Sequence, residues 1–315
     1  MEWTPEQAAL KKEIERVILR PVELDDHTAP LYHYTNGTGF MGIIETGKIW
    51  ATHFDYLNDS RELRHGEEIV LEEARAFVAE LPEGSAGRYL MEYFIQLDPF
   101  VSLTRLWDVY LASFSESGDQ LSQWRAYGCD GSGFAVGFRT LPRPHGEDDD
   151  AGAPLDLIKC EYRPDIFKKK IREILVEVTC HYEDFARSKA ETDEARRAIH
   201  DSAWKSLFKR IATEVPRLKH KSFDEEREWR LAVLPIPDQA KSITKFRARR
   251  GGLCPYVEID VRGPGGRIDL ADVVVGPGQD PQRSLKSARM FLKQHGYDRE
   301  DLVRLSGTTY RGGMA

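Results

Sequence analysis

Two glutamates set two residues apart, Glu226 and Glu228, stand in the segment Phe223-Asp224-Glu225-Glu226-Arg227-Glu228-Trp229-Arg230-Leu231. If the backbone is extended from Glu226, then Glu226, Glu228 and Arg230 share one face, and Trp229 and Leu231 take the other. Charges on a strand face are costly to bury without partners, so this face is either a solvated edge or part of a polar site. A Glu-x-Glu strand suits chemistry at a sugar carbon. One carboxylate stabilises an oxocarbenium-like centre or holds a ribose hydroxyl, and the other orients the nucleophile. Arg230, and Arg125 elsewhere in the chain, offer guanidinium forks for a pyrophosphate.

Two further groups could complete such a site. His33-Tyr34-Thr35 lies in a β-prone run, and alternation puts His33 and Thr35 on one face, able to hold a hydroxyl or an amide. The competing reading is a core histidine with its hydrogen bonds satisfied. Ser113-Phe114-Ser115 ends another β-prone run, followed by Gly118-Asp119 and then Ser122-Gln123-Trp124-Arg125-Ala126-Tyr127-Gly128. Ser113 supplies a hydrogen-bonding group, and Trp124 and Tyr127 supply stacking area for a planar ring. At i and i+3, Trp124 and Tyr127 equally fit one core-facing helical stripe.

Other clusters read as structure. Asp55 to Glu62 has the form of a helix N-terminus, in which Asp59 and Glu62 could also fix a loop over a pocket. His53 and Asp55 lack a second ligand cluster, so no metal is expected. Val273 to Pro281 reads as a strand, a glycine turn and a helix start, without the Gly-Lys-Ser/Thr of a phosphate loop or a complete dinucleotide fingerprint. No GxSxG, HExxH or kinase signature set occurs. The four cysteines, at 129, 160, 180 and 254, form no CxxC pair and read as buried free thiols.

The elements that must position these groups follow from capping and periodicity. A helix is expected from Thr4-Pro5 to about Leu19, and strands over 31–35 and 48–54 flank a helix over 39–47. Residues 60–108 read as helical with a break near Pro82-Glu83-Gly84. Strands are expected over 109–115, 133–138 and 157–162, around an exposed acidic loop at 143–154. Residues 164–218 read as helical with a break near 188–193. Strands over 228–234, 243–248, 256–261 and 268–275, a helix from Asp280-Pro281 to Gly296 and a last strand at 301–305 complete the pattern. The expected fold is α+β: a mixed or mainly antiparallel sheet core with long helical insertions at about 60–108 and 164–218. Residues 1–30 form a helical extension and 31–315 one domain.

Composition narrows the setting. The 315 residues carry 45 Lys+Arg against 52 Asp+Glu, a formal net charge of -7. That balance argues against a generic duplex-DNA binder, although 205–221 and 241–250 are locally basic and could hold phosphates. No stretch approaches the roughly 18–20 apolar residues of a membrane span, and the opening MEWTPEQAALKKEIER does not read as a secretory signal. A cytoplasmic location and no membrane partner are the expectations.

As an ordered set, LYHYT (31–35), IIETGKIWAT (43–52), YLND with Glu62, SFSES (113–117), SQWRAYG (122–128), GFAVGF (133–138), FDEEREWRL (223–231), VVVGP (273–277), and Ser306 with Tyr310-Arg311 resemble the bacterial family called domain of unknown function 2971. The resemblance covers roughly 31–311, and the company the family keeps suggests bacterial stress or phage defence. More weakly, a His-x-Thr strand, a helix, a Gly-Lys-Ile-type strand and a late glutamate-bearing strand resemble the ADP-ribosyltransferase fold. That likeness implies NAD as substrate, with His33 on its ribose, Ser113 or Tyr127 framing the nicotinamide, and Glu226 or Glu228 as the late catalytic acid. A protein or a nucleic acid would be the acceptor. A nucleotide-sensing or partner-binding module without catalysis, and a nucleic-acid-binding or processing protein, are the alternatives.

Overall fold

The structure is a computed structural model that describes residues 4–18, 27–57, 60–96, 108–142, 155–234, 237–249 and 251–310. Asn58, Asp59, the acidic loop 143–154, Arg311 and the side chains of Ser60 and Glu62 lie outside this description. In chain order the elements are α1 (Pro5–Ile18), β1 (Leu31–Thr35), α2 (Gly37–Thr46), β2 (Lys48–His53), α3 (Ser60–Glu80), α4 (Ala86–Ile95), β3 (Tyr110–Ser115), α5 (Leu121–Ala126), β4 (Phe134–Phe138) and β5 (Leu155–Lys159). There follow α6 (Pro164–Ser188), α7 (Asp193–Glu214), β6 (Glu228–Val233), α8 (Pro237–Ile243), β7 (Lys245–Arg249), β8 (Gly252–Asp260), β9 (Leu270–Val275), α9 (Pro281–Gln294) and β10 (Val303–Leu305).

The chain divides into two compact units. One comprises Met1–Leu24, Asn58–Asp108 and Glu161–Lys221, and is helical throughout its described helices α1, α3, α4, α6 and α7. Helix starts follow the capping signals: the Ser85 side chain accepts from Arg88 N–H, Thr192 accepts from Ala195 N–H, and Pro164 opens α6. Ile14, Ile18, Leu90, Phe94, Ile171, Leu175, Val178, Leu207, Phe208 and Ile211 are buried there. The carboxylate of Glu214, with no exposed surface, is met by Lys170 at 3.2 Å and Arg217 at 2.9 Å. Such a buried charge is tolerable only with cations on it.

The other unit comprises Asp25–Leu57, Val109–Cys160 and Ser222–Ala315 and holds the sheet. Strands run in the order β10-β9-β4-β1-β3-β2-β8-β7, with β6 on β3 and β5 on β6. The pairs are antiparallel except β9 with β10, so the expected mixed, mainly antiparallel sheet is present. Alternation then sorts the side chains. Phe114, Trp229, Leu231, Ile49, Ala51, Val257 and Val273 enter one apolar core, covered by Phe40, Ile43 and Ile44 of α2 and Ala288 and Leu292 of α9. Gly47 stops α2 at φ 69, a left-handed conformation that side chains resist, and its N–H closes on Ile43 O. Among the described residues, no helix is long and apolar enough to cross a membrane.

Two expectations need correction. The strand of the Glu-x-Glu segment begins at Glu228, not Glu226. Residues Lys221–Glu226 form a 3-10 helix, and Arg227 at φ 43 breaks the extended run. The thiols are free, but only Cys160 and Cys254 are buried, whereas Cys129 and Cys180 are exposed.

Candidate functional site

Three strands compete for β3. Along one edge β6 pairs with its whole length, from Tyr110↔Val233 to Ser115↔Glu228. The other edge is shared. β2 pairs only at Thr52↔Leu111 and His53↔Tyr110, and β1 only at Tyr32↔Ser115. Between these contacts β1 and β2 diverge, and β3 faces the gap over Ala112, Ser113 and Phe114. A strand edge left without a neighbour exposes backbone groups that need partners. Here His33 supplies one, with its Nδ1 2.9 Å from Ser113 O.

A carbonyl can only accept, so Nδ1 carries the hydrogen and Nε2 of the neutral ring is left as an acceptor. The imidazole packs against Phe114, with ring centroids 5.7 Å apart. Its pKa lies below the ordinary histidine value, first because burial disfavours the cation and also because the charge of Arg247 does. His33 is therefore both a histidine with a satisfied hydrogen bond and a group at the sheet's only split among the described strands.

The face of β3 and β6 away from the apolar core carries Ser113, Ser115, Glu228 and Arg230, since Ser113 pairs with Arg230 and Ser115 with Glu228. Glu228 and Arg230 are each 5% exposed, and the Arg230 fork closes on the Glu228 carboxylate at 2.9 Å and 3.3 Å. This bidentate geometry is the strong form of the pair. Glu226 enters through its backbone, its carbonyl accepting from Ser115 Oγ at 2.7 Å. The side-chain alternation that would align Glu226 with Glu228 is absent.

The remaining expected residues take other places. Trp124 has no exposed surface. Its Nε1–H donates to Asp119 Oδ1 at 2.8 Å and its ring meets Tyr34 edge-on at 4.7 Å, so stacking on a ligand ring is closed to it in this conformation. Tyr127, 37% exposed, does not share that buried stripe. Arg125 is exposed and lies over the Tyr310 ring at 5.2 Å. Thr35 ends β1 beside α2, where a Cβ on Gly39 would collide with its hydroxyl. His53 is a cap, its Nδ1 accepting from Asp55 N–H at 3.3 Å. The strand-to-helix turn at Gly276–Asp280 is closed by the Asp280 side chain, which accepts from Arg283 N–H.

Asp119, which carries no motif signal of its own, is the hub of the region. Its carboxylate accepts from Trp124 Nε1, Ser306 Oγ, Gly307 N–H and Thr308 Oγ1. Burial would raise its pKa, but these four donors outweigh burial and hold it below the usual aspartate value. Tyr34 completes the knot: its hydroxyl donates to Ser117 O at 2.8 Å and accepts from Gln120 N–H at 2.9 Å. Gly118 is required here, because a Cβ would stand 2.4 Å from the Tyr32 ring. Three of the four donors to Asp119 lie 187 to 189 residues further along the chain, which no local pattern announces.

Residues 123–231 match the family described as protein of unknown function, DUF2971. That match supports the family resemblance drawn from the motifs, and it spans Trp124, Glu228 and Arg230 but not His33 or β2. No curated protein and no solved structure matches the chain. The DUF2971 segment thus contains the Trp124 anchor and both charged members of the buried pair. β1, with His33, and residues 306–308, on Asp119, are supplied by chain outside the matched segment.

Proposed function

We propose that the split face of the sheet cleaves NAD and transfers ADP-ribose to water or to an acceptor. The observation that carries this reading is strand order: the strands bearing His33, Ser113 and Glu228 are neighbours, β1–β3–β6, and the edge of β3 opens where His33 reaches Ser113. The ADP-ribosyltransferase likeness implies an early histidine, a middle serine and a late glutamate, and this adjacency agrees with it.

In the proposed reaction the bond between the ribose anomeric carbon and nicotinamide breaks, and its electron pair leaves with nicotinamide. The ribosyl cation is stabilised by Glu228, which also holds a ribose hydroxyl. Nε2 of His33 accepts a second hydroxyl or the amide. Tyr127 frames the ring. Of the two arginines assigned to the pyrophosphate, Arg125 is exposed, whereas Arg230 already holds Glu228 and so positions it. The nucleophile, water or an acceptor hydroxyl or amine, attacks the anomeric carbon and loses its proton to solvent water.

The test is nicotinamide release from NAD. Glu228→Gln keeps the shape and should cut release about a hundredfold or more. His33→Gln, which leaves the buried ion pair untouched, should raise KM. Release unchanged in a folded Glu228→Gln protein overturns the role of Glu228. A second reading rests on the same ion pair: a carboxylate already closed on Arg230 suits a nucleotide-binding module that does not turn over. Calorimetric titration with NAD followed by product analysis separates the two, because saturable heat with intact NAD favours the module.

A further inference from the structure

The outer strands of the sheet carry a second surface, separate from the pair on β6. Alternation puts Lys245, Arg247 and Arg249 on one face of β7, the terminal strand of its side of the sheet. Residues two apart on a strand stand roughly 6–7 Å apart, so the three cations form a row. The same face presents Lys48, Trp50 and Thr52 from β2 and Tyr256 and Glu258 from β8, through the pairs Trp50↔Glu258, Thr52↔Tyr256 and Lys245↔Tyr256.

Positive charge is in excess there. Glu258 is shared by Lys48 and Lys245, each at 2.9 Å, and these cations hold its pKa below the usual carboxylate value. Asp260 on the same face is taken by Arg262. Arg249 donates to the Tyr56 carbonyl. Arg247 has no carboxylate partner among the described residues. It crosses β8 to donate to Thr52 Oγ1 at 2.9 Å and lies 5.5 Å and 6.0 Å from the Trp50 and Tyr256 rings.

Aromatic area accompanies the charge. Trp50 is 45% exposed and Tyr56 43%, and Trp50 is braced by Tyr256 at 4.5 Å. A row of cations beside braced, exposed rings is what single-stranded nucleic acid requires: cations follow the phosphates, and rings receive unstacked bases whatever their sequence. A duplex keeps its bases stacked and cannot use the rings.

We infer that the β2–β8–β7 face binds single-stranded nucleic acid, with phosphates on Lys245, Arg247 and Arg249 and a base on Trp50. This surface does not depend on the NAD reading. The experiment is fluorescence anisotropy of the full chain with a labelled oligothymidylate and a labelled duplex, across about 50–200 mM salt. Single-strand binding should weaken with salt, and the Lys245→Gln/Arg247→Gln/Arg249→Gln protein should lose about two units of log–log salt slope, at about 0.7 per phosphate. Trp50→Ala should weaken binding about tenfold, with Trp50→Phe keeping most of it.

Circular dichroism and thermal melts check that the variants fold, and a misfolded triple variant is replaced by Arg247→Gln alone, for which about 0.7 of slope is expected. No binding at low salt overturns the inference, as does equal affinity for the duplex. An unchanged Trp50→Ala affinity also overturns it, because it reduces the surface to a general polyanion patch.

Discussion

Two tryptophans of the sheet unit have opposite fates. Trp124 sits in the segment that matches the DUF2971 family, and it is wholly enclosed, its indole N–H spent on Asp119 and its ring on Tyr34. Trp50 sits in a plain alternating strand and stands nearly half exposed, beside a guanidinium that no carboxylate among the described residues neutralises. The difference teaches that a recognisable motif can be a structural anchor, while ligand-facing chemistry lies where strands bring distant, ordinary residues together. A satisfied N–H and zero exposure identify the first case; exposure beside unspent charge identifies the second.

The sharpest way to break the comparison is truncation. Trp124→Ala should cost about 3–5 kcal/mol of stability by urea or thermal unfolding, as large aromatic deletions in cores do. Trp50→Ala should cost under about 1 kcal/mol. Similar losses at both sites would erase the distinction. Next in size, Asp119→Ala strands four donors at once and should cost about 2–3 kcal/mol, more than the loss of any one donor.

Gly118→Ala places a methyl group against the Tyr32 ring and should cost about 1–2 kcal/mol, because the ring lies between two tight backbone approaches, at Gly118 and Gly137. The smallest effect is on pH. The pKa of Asp119 is lower folded than unfolded, so the unfolded chain binds the proton more readily. Its stabilisation is therefore complete above the unfolded value of about 3.9 and fades as pH falls through the folded value. Urea unfolding of the native protein and of Asp119→Asn should differ by a constant amount near neutral pH and converge in acid. A gap that widened in acid would contradict the assignment.

Much of the fold was legible because local rules govern it. The run 31–35, the helix ended by Gly47, the break between α6 and α7 at 188–193 and the strand GFAVGF emerge within a residue or two of the expected bounds. Capping groups, glycine at positive φ and alternation act over a few residues and are written in the sequence. Helix α8 fills a stretch for which the sequence suggests no element, between the strands expected over 228–234 and 243–248.

The candidate site was legible in its residue types but not in its geometry. His33, Ser113 and Glu228 were named from pattern, yet the divergence of β1 from β2 depends on three strands competing for one edge. Glu226 was misplaced because alternation was extended through Arg227, whose positive φ has no glycine to announce it. Arg247 was hidden in a basic run. Its reach across β8 to Thr52 spans 195 residues of sequence.

The Asp119 knot also has a consequence for the order in which the molecule is made. On a ribosome, Asp119 and Trp124 emerge early, but three of the four groups that bind the carboxylate, on Ser306, Gly307 and Thr308, are synthesised some 187 to 189 residues later. At a typical elongation rate of about 5–20 residues per second, that gap lasts on the order of ten to forty seconds. Throughout it a nascent chain holds a hydrated aspartate beside a tryptophan with no finished pocket. The segment 306–308 thus acts as a timed latch, and the Asp119 pocket closes only once that segment has left the exit tunnel.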